Sequence, residues 1–231
     1  MQPASIRERY LIPGAIVLAG IILAITIFVV RSHQEAVSAG DPTAVRPVTP
    51  SDHLIGNPQA AVTIVEYGDI DSSYSKQLQT TLEQLMSEYA SGGQVAWVYR
   101  HFPLADMHPN SLSHAEAAEC AASLGAPDAF WRFIDLVQAQ APAENQFDPK
   151  DYPTVVTQLG ISVDTFNTCL SSHQFSKHVT DDAINALNAG ADGSPYVVLL
   201  VKGQKPSTIS GTIPYQSLKR IIDQAVSKAG Q

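Results

Sequence analysis

Tyr10 to Val30 (YLIPGAIVLAGIILAITIFVV) runs for 21 residues without a charged side chain, between Arg7 and Arg9 on one side and Arg31 on the other. At about 1.5 Å per residue, a helix of that length crosses the hydrocarbon core of a bilayer. It is too long for an ordinary signal-peptide core, and a buried core helix is the alternative reading. A small-residue cleavage pattern, Val37-Ser38-Ala39, lies nine residues beyond the block, farther than such signals usually sit. Two arginines and the amino terminus precede the block and one arginine follows it closely. The excess therefore predicts a cytoplasmic N-terminus over residues 1–9, a transmembrane anchor over 10–30, and a C-terminal part on the extracytoplasmic side.

Residues 31–50 are rich in Pro and Gly (Gly40, Pro42, Pro47, Pro50) and lack apolar periodicity, so they read as a flexible tether. What remains, residues 51–231, is long enough for one sizeable core. The chain has 14 Lys+Arg and 22 Asp+Glu, a net charge of −8. Because four of the basic residues (Arg7, Arg9, Arg31, Arg46) and three of the acidic ones (Glu8, Glu35, Asp41) precede Pro47, the rest carries about −9. That balance argues against a nucleic-acid partner held through phosphates. Only two cysteines are present, Cys120 and Cys169, enough for one disulfide and too few for a four-thiolate zinc site.

Within the domain, Ala61–Tyr67 and Val95–Tyr99 are short β-branched, apolar runs and predict buried strands. Between them Leu78, Leu82, Leu85, Met86 and Tyr89 recur at helical spacing, and Gly92-Gly93 ends the run. A parallel strand–helix–strand unit follows from that order. Helical patterns then occupy Leu112–Leu124, Asp128–Gln140, Asp151–Leu159, Val163–Ser171 (with Ser162 as its cap) and about Phe175–Ala189. Strand character returns at Tyr196–Val201 and Ser207–Ser210, and Ile213–Ala229 closes the chain as a helix. The class is α/β, with helices inserted between two halves of a sheet.

The segments DHLIGNPQAAVTIVEYGD, VYRHFPL, HPNSLSHAEAAECA, FNTCL and GSPYVVLL resemble, in order, the DsbA-like branch of the thioredoxin-fold disulfide oxidoreductases, from about Asp52 to the C-terminus. The resemblance implies a thioredoxin fold whose βαβ and ββα halves are separated by a helical insertion at about 108–175. It implies a cis bond before Pro195, in a loop (Ser194, Pro195) that binds extended substrate chains. It further implies a structural disulfide between Cys120 and Cys169, two buried free thiols being the alternative. Such proteins work in an oxidising compartment.

The chain departs from the family at the start of the first helix, where Cys-x-x-Cys belongs and Ser72-Ser73-Tyr74-Ser75 stands. The exchange chemistry needs a thiolate that a helix N-terminus stabilises, and a second thiol that resolves the mixed disulfide. A serine hydroxyl neither ionises near neutrality nor forms an S–S bond. These four positions are expected to be vestigial, with Asp71, Ser72 or Ser73 capping the helix. A serine-hydrolase reading would need a general base, for which His101 is the candidate. Cys120, Cys169, His114 and His173 are metal-ligand types without metal spacing, so no metal and no cofactor are expected. His53, His101, His108 and His178 otherwise read as surface or loop residues.

Three functions fit these residues. One is a membrane-tethered DsbA-like protein that has lost exchange chemistry and binds unfolded or cysteine-containing exported polypeptides. Another is an oxidoreductase whose active-site cysteines are substituted in this particular chain. The third is a structural subunit of an envelope assembly.

Overall fold

The computed structural model describes residues 40–89, 92–141 and 147–230. The segment read as a membrane anchor lies outside these residues, as does the tether up to residue 39. Among the described residues no helix is long and apolar enough to cross a membrane.

Five strands form one mixed sheet: β1 (His53–Gly56), β2 (Val62–Gly68), β3 (Val95–His101), β4 (Tyr196–Val201) and β5 (Ser207–Ser210), in the order β1-β3-β2-β4-β5. The central β2–β3 pair is parallel, with Ile64 opposite Trp97, and β1, β4 and β5 add in antiparallel fashion. The parallel pair matches the strand–helix–strand reading, and its crossover is α1 (Ser73–Tyr89). Every residue of β3 is buried, as expected for a central strand covered on both faces.

One face of the sheet is covered by α1 and the C-terminal helix α7 (Tyr215–Ala229). Leu78, Leu82 and Leu85 of α1 pack with Leu218 and Ile222 of α7 against Ile64, Trp97, Val197 and Leu199. Leu82 is fully buried, and its truncation to alanine would cost about 2–5 kcal/mol. Between β3 and β4 lie α2 (Ser111–Leu124), α3 (Ala129–Gln140), α4 (Tyr152–Gln158), α5 (Val163–Ser172) and α6 (Ser176–Asn188). The first four enclose their own core around Phe130, Phe133, Val155 and Phe166. A Cys120–Cys169 disulfide, with Cα atoms 5.9 Å apart, staples α2 to α5.

The sheet's other face is closed by α6 and by the segment that leads into β1. Ala186 and Ala189 pack on Val65, Tyr67 and Val198, with Val45 and Val48 beside them. Residues 40–50, read from the sequence as part of a tether, are therefore packed on the domain. Asp41 donates its backbone N–H to Asn188 O at 3.0 Å. A Cβ on Gly40 would meet the Gly190 backbone at 2.3 Å, so this docking requires glycine. β1 is a strand the sequence reading did not include, and Ser162, expected as the cap of α5, precedes it without a side-chain capping bond.

Candidate functional site

The site expected from the sequence forms where the β2–α1 turn meets the loop before β4. Ser72 does cap α1: its hydroxyl accepts the Ser75 N–H at 3.3 Å, and its carbonyl accepts the Lys76 N–H at 3.0 Å. That geometry leaves Ser73 and Tyr74 outward, Tyr74 with 63% of its surface exposed, and turns Ser75 inward. The Ser75 hydroxyl accepts the Asp69 N–H at 3.2 Å and lies 2.9 Å from the Ser194 hydroxyl. Ser194 also points to the Tyr67 carbonyl at 3.5 Å. The Ser194–Pro195 peptide bond is cis. Thus Ser72, Ser75, Ser194 and Pro195, far apart in sequence, meet at one end of the sheet.

The turn is held from below by Asp69, whose carboxylate accepts the backbone N–H groups of Asp71 and Leu104, each at 2.9 Å. The same carboxylate lies 2.8 Å from His108 Nδ1, which identifies His108 as part of the site's frame. His114, buried on α2, comes within 2.8 Å of Asp71. Gly68, just before the turn, has no room for a side chain, because a Cβ there would sit 2.5 Å from the Tyr99 ring. On the far side, Lys76 donates to the Gln138 carbonyl at 2.6 Å and Gln138 donates to Gln79 at 3.0 Å, tying α1 to α3.

Glu66, two residues before Gly68, is fully buried on β2, where one oxygen accepts the Trp97 indole N–H at 2.9 Å and the other has no partner. Burial pushes its carboxyl up to about 8, against the smaller opposing effect of the Trp97 hydrogen bond, so it is neutral at pH 7. A lone acid inside an otherwise apolar strand was its sequence signal.

Chemically, this face offers hydroxyls, backbone groups and a helix N-terminus, and no thiol. The two cysteines are bonded to each other on α2 and α5, and both are buried. His101 does not serve Ser72 or Ser75. It is 1% exposed, and its Nε2 is engaged with Glu119 at 2.9 Å. His53 and His178, expected on the surface or in loops, join the same buried carboxylate.

The sequence model of the family described as "Thioredoxin" matches residues 48–224. The chain belongs to the thioredoxin family. Solved structures with the same fold include alpha-DsbA1 from Wolbachia pipientis (TM-score 0.67, 19% identity, 82% of this chain and 97% of that one). Pseudomonas aeruginosa DsbA2 superposes with a TM-score of 0.65 at 24% identity, over 77% and 96% of the two chains. Oxidised BdbD from Bacillus subtilis does so with 0.66 at 19%, over 79% and 96%. The fold shared with these structures includes the helical insertion. Among curated sequences, this thioredoxin-family chain is 34% identical over 150 residues to a protein named Na(+)/H(+) antiporter NhaA 3 from Salinispora tropica, covering 64% of this chain and 22% of that one. A Salinispora arenicola protein named Na(+)/H(+) antiporter NhaA 1 is 32% identical over 160 residues, 69% of this chain and 23% of that one. The chain thus spans less than a quarter of the length of these two relatives.

Proposed function

We propose that this chain is a membrane-tethered, extracytoplasmic DsbA-like protein that binds extended polypeptide segments at the Ser72–Pro195 face and carries out no thiol–disulfide exchange there. The observation that carries the reading is the contact between the Ser75 and Ser194 hydroxyls at 2.9 Å. The contact brings the helix start that would carry a dithiol in the DsbA-like family against the loop before β4, with hydroxyls in place of sulfurs, which supports this reading. Strand-like pairing uses backbone N–H and C=O groups, so it outlasts the loss of thiols. Exposed Tyr74 and Met107, 63% and 69% accessible, supply apolar contact area near this face and in the β3–α2 loop. The charge-free block at residues 10–30 supports the tether, and the arginines around it support the orientation.

Calorimetry with an unfolded, cysteine-free exported peptide tests this reading. Binding at sub-millimolar concentration is expected, weakened several-fold in Pro195→Ala. Absence of binding would favour a structural subunit instead. A second reading has its own support: the relatives named as Na(+)/H(+) antiporters carry the matching segment within much longer chains. In that reading the domain accompanies an ion-transporting membrane protein, and co-purification with such a transporter from membranes is the test.

A further inference from the structure

Away from the site, imidazoles from three separate elements converge on one carboxylate oxygen. Glu119 of α2 is 6% exposed. Its Oε1 lies 2.8 Å from His53 Nε2 on β1, 2.9 Å from His101 Nε2 on β3, and 3.4 Å from His178 Nε2 on α6. The two nearer rings hold the shorter hydrogen bonds to this oxygen, and His178 reaches it at the longest distance of the three. His178 stands off and also faces a second carboxylate, Asp182 Oδ2, at 3.7 Å. It is an imidazole placed between an acid of α2 and an acid of α6.

The surrounding charges make that placement informative. Asp182 accepts the His101 backbone N–H at 3.0 Å and pairs with Arg46, from the segment before β1. Asp52 pairs with Arg100 Nε at 2.8 Å and with Arg46 at 3.5 Å. Asp182 and Asp52 thus meet the two guanidiniums, whereas Glu119 meets only imidazoles, so the three carboxylates and two guanidiniums leave one negative charge in a largely buried network. From α3 the Phe130 ring stacks on His53 at 3.4 Å. On the outer side of α6, Lys177 and Asp181 neutralise each other at 2.7 Å. The Nδ1 of His101 is buried and has no hydrogen-bond partner.

We infer that His178, when protonated, supplies the missing positive charge and clamps α6 to α2, so that mild acidification tightens the helical insertion onto the sheet. The idea is independent of what the Ser72–Pro195 face binds. Hydrogen bonding to Glu119 moves His178 above the ordinary histidine value, against the effect of burial. Burial pushes Glu119 up, but hydrogen bonds from His101, His178 and His53 outweigh it and hold the carboxyl well below the usual carboxylate range. The His178 contribution is fully present below its unfolded value of 6.5 and fades as pH rises through the higher folded one. That of Glu119 is present above 4.5 and fades only as pH falls through its depressed folded value. Both act together between about pH 4.5 and 6.5. The clamp also reaches toward the site, because Asn185, one turn past Asp182 on α6, accepts the Tyr67 hydroxyl at 2.5 Å.

Thermal unfolding of the detergent-solubilised full chain at pH 5.5 and pH 8 tests the clamp, with wild type compared to His178→Gln. The melting-temperature gap between the two proteins should be wider at pH 5.5 by at least about 2 °C. An equal gap at both pH values would overturn the inference. Should the variant not fold, NMR titration of the wild-type imidazole decides: a His178 midpoint above 6.5 supports the clamp, and one at or below 6.5 refutes it.

Discussion

The N-terminal face of α1 and the helical insertion make an instructive pair. At the start of α1 the contacts nearest the face are neutral, namely the Ser72 cap, the Ser75–Ser194 contact and the uncharged Glu66 in the neighbouring strand, with the Asp69 carboxylate beneath them. In the insertion it is held by a covalent bridge and by ionised groups, Cys120–Cys169 and the Glu119 cluster. Glu66 and Glu119 show the contrast in one residue type. Both are buried. Glu66 has a single indole donor and burial drives it neutral, whereas Glu119 has three imidazoles and stays ionised. Burial pushes both carboxyls up, and the hydrogen bonds set against it are what keep Glu119 charged and fail to do so for Glu66. The insertion is thus held by a covalent bridge and an ionised cluster, while the site is shaped by hydroxyl contacts above the Asp69 carboxylate.

The harshest way to sharpen that contrast is to break the covalent bridge. Replacing both Cys120 and Cys169 with serine opens a loop of 49 residues and should cost about 4 kcal/mol in denaturant unfolding. A loss under about 1 kcal/mol would mean the insertion does not depend on its staple. Next comes Glu66→Gln. The carboxyl is raised from 4.5 to about 8, so the unfolded chain releases this proton as pH rises through 4.5 while the folded chain keeps it until about 8. Wild-type stability therefore falls across that window, and the amide variant should gain up to about 3 kcal/mol at pH 7 and little at pH 4. A gain independent of pH would contradict the burial of a neutral acid. The smallest effects belong to the serines themselves. Ser72→Ala removes a cap and should cost about 1 kcal/mol; Ser194→Val should cost no more, because Ser75 retains the Asp69 N–H as partner.

Much of this was legible in the sequence for physical reasons. Continuous β-branched, apolar runs marked β2, β3 and β4, and helical patterns marked the seven α-helices of the described residues, since each buries one or both faces. The motif comparison located Ser72–Ser75 and Pro195 because local turn chemistry is written in adjacent residues. What stayed hidden is non-local. β1 is four residues long with no buried residue, so it carries no apolar alternation. The docking of residues 40–50 depends on Gly190 and Asp182, far along the chain. Likewise His53, His101, Glu119 and His178 come from four elements, and only the assembled sheet and helices bring them to one point. For that reason His101 read as a candidate base, although it is a buried hydrogen-bond donor to Glu119.

The central claim, an intact scaffold without exchange chemistry, is tested most directly by the rate of insulin disulfide reduction. Wild type and Ser72→Cys/Ser75→Cys are measured side by side after both are shown to be folded. Wild type is predicted to reduce insulin no faster than the dithiol reductant alone, and the restored variant to accelerate it well above that background. Turnover by wild type would contradict the account, as would a folded but inert restored variant.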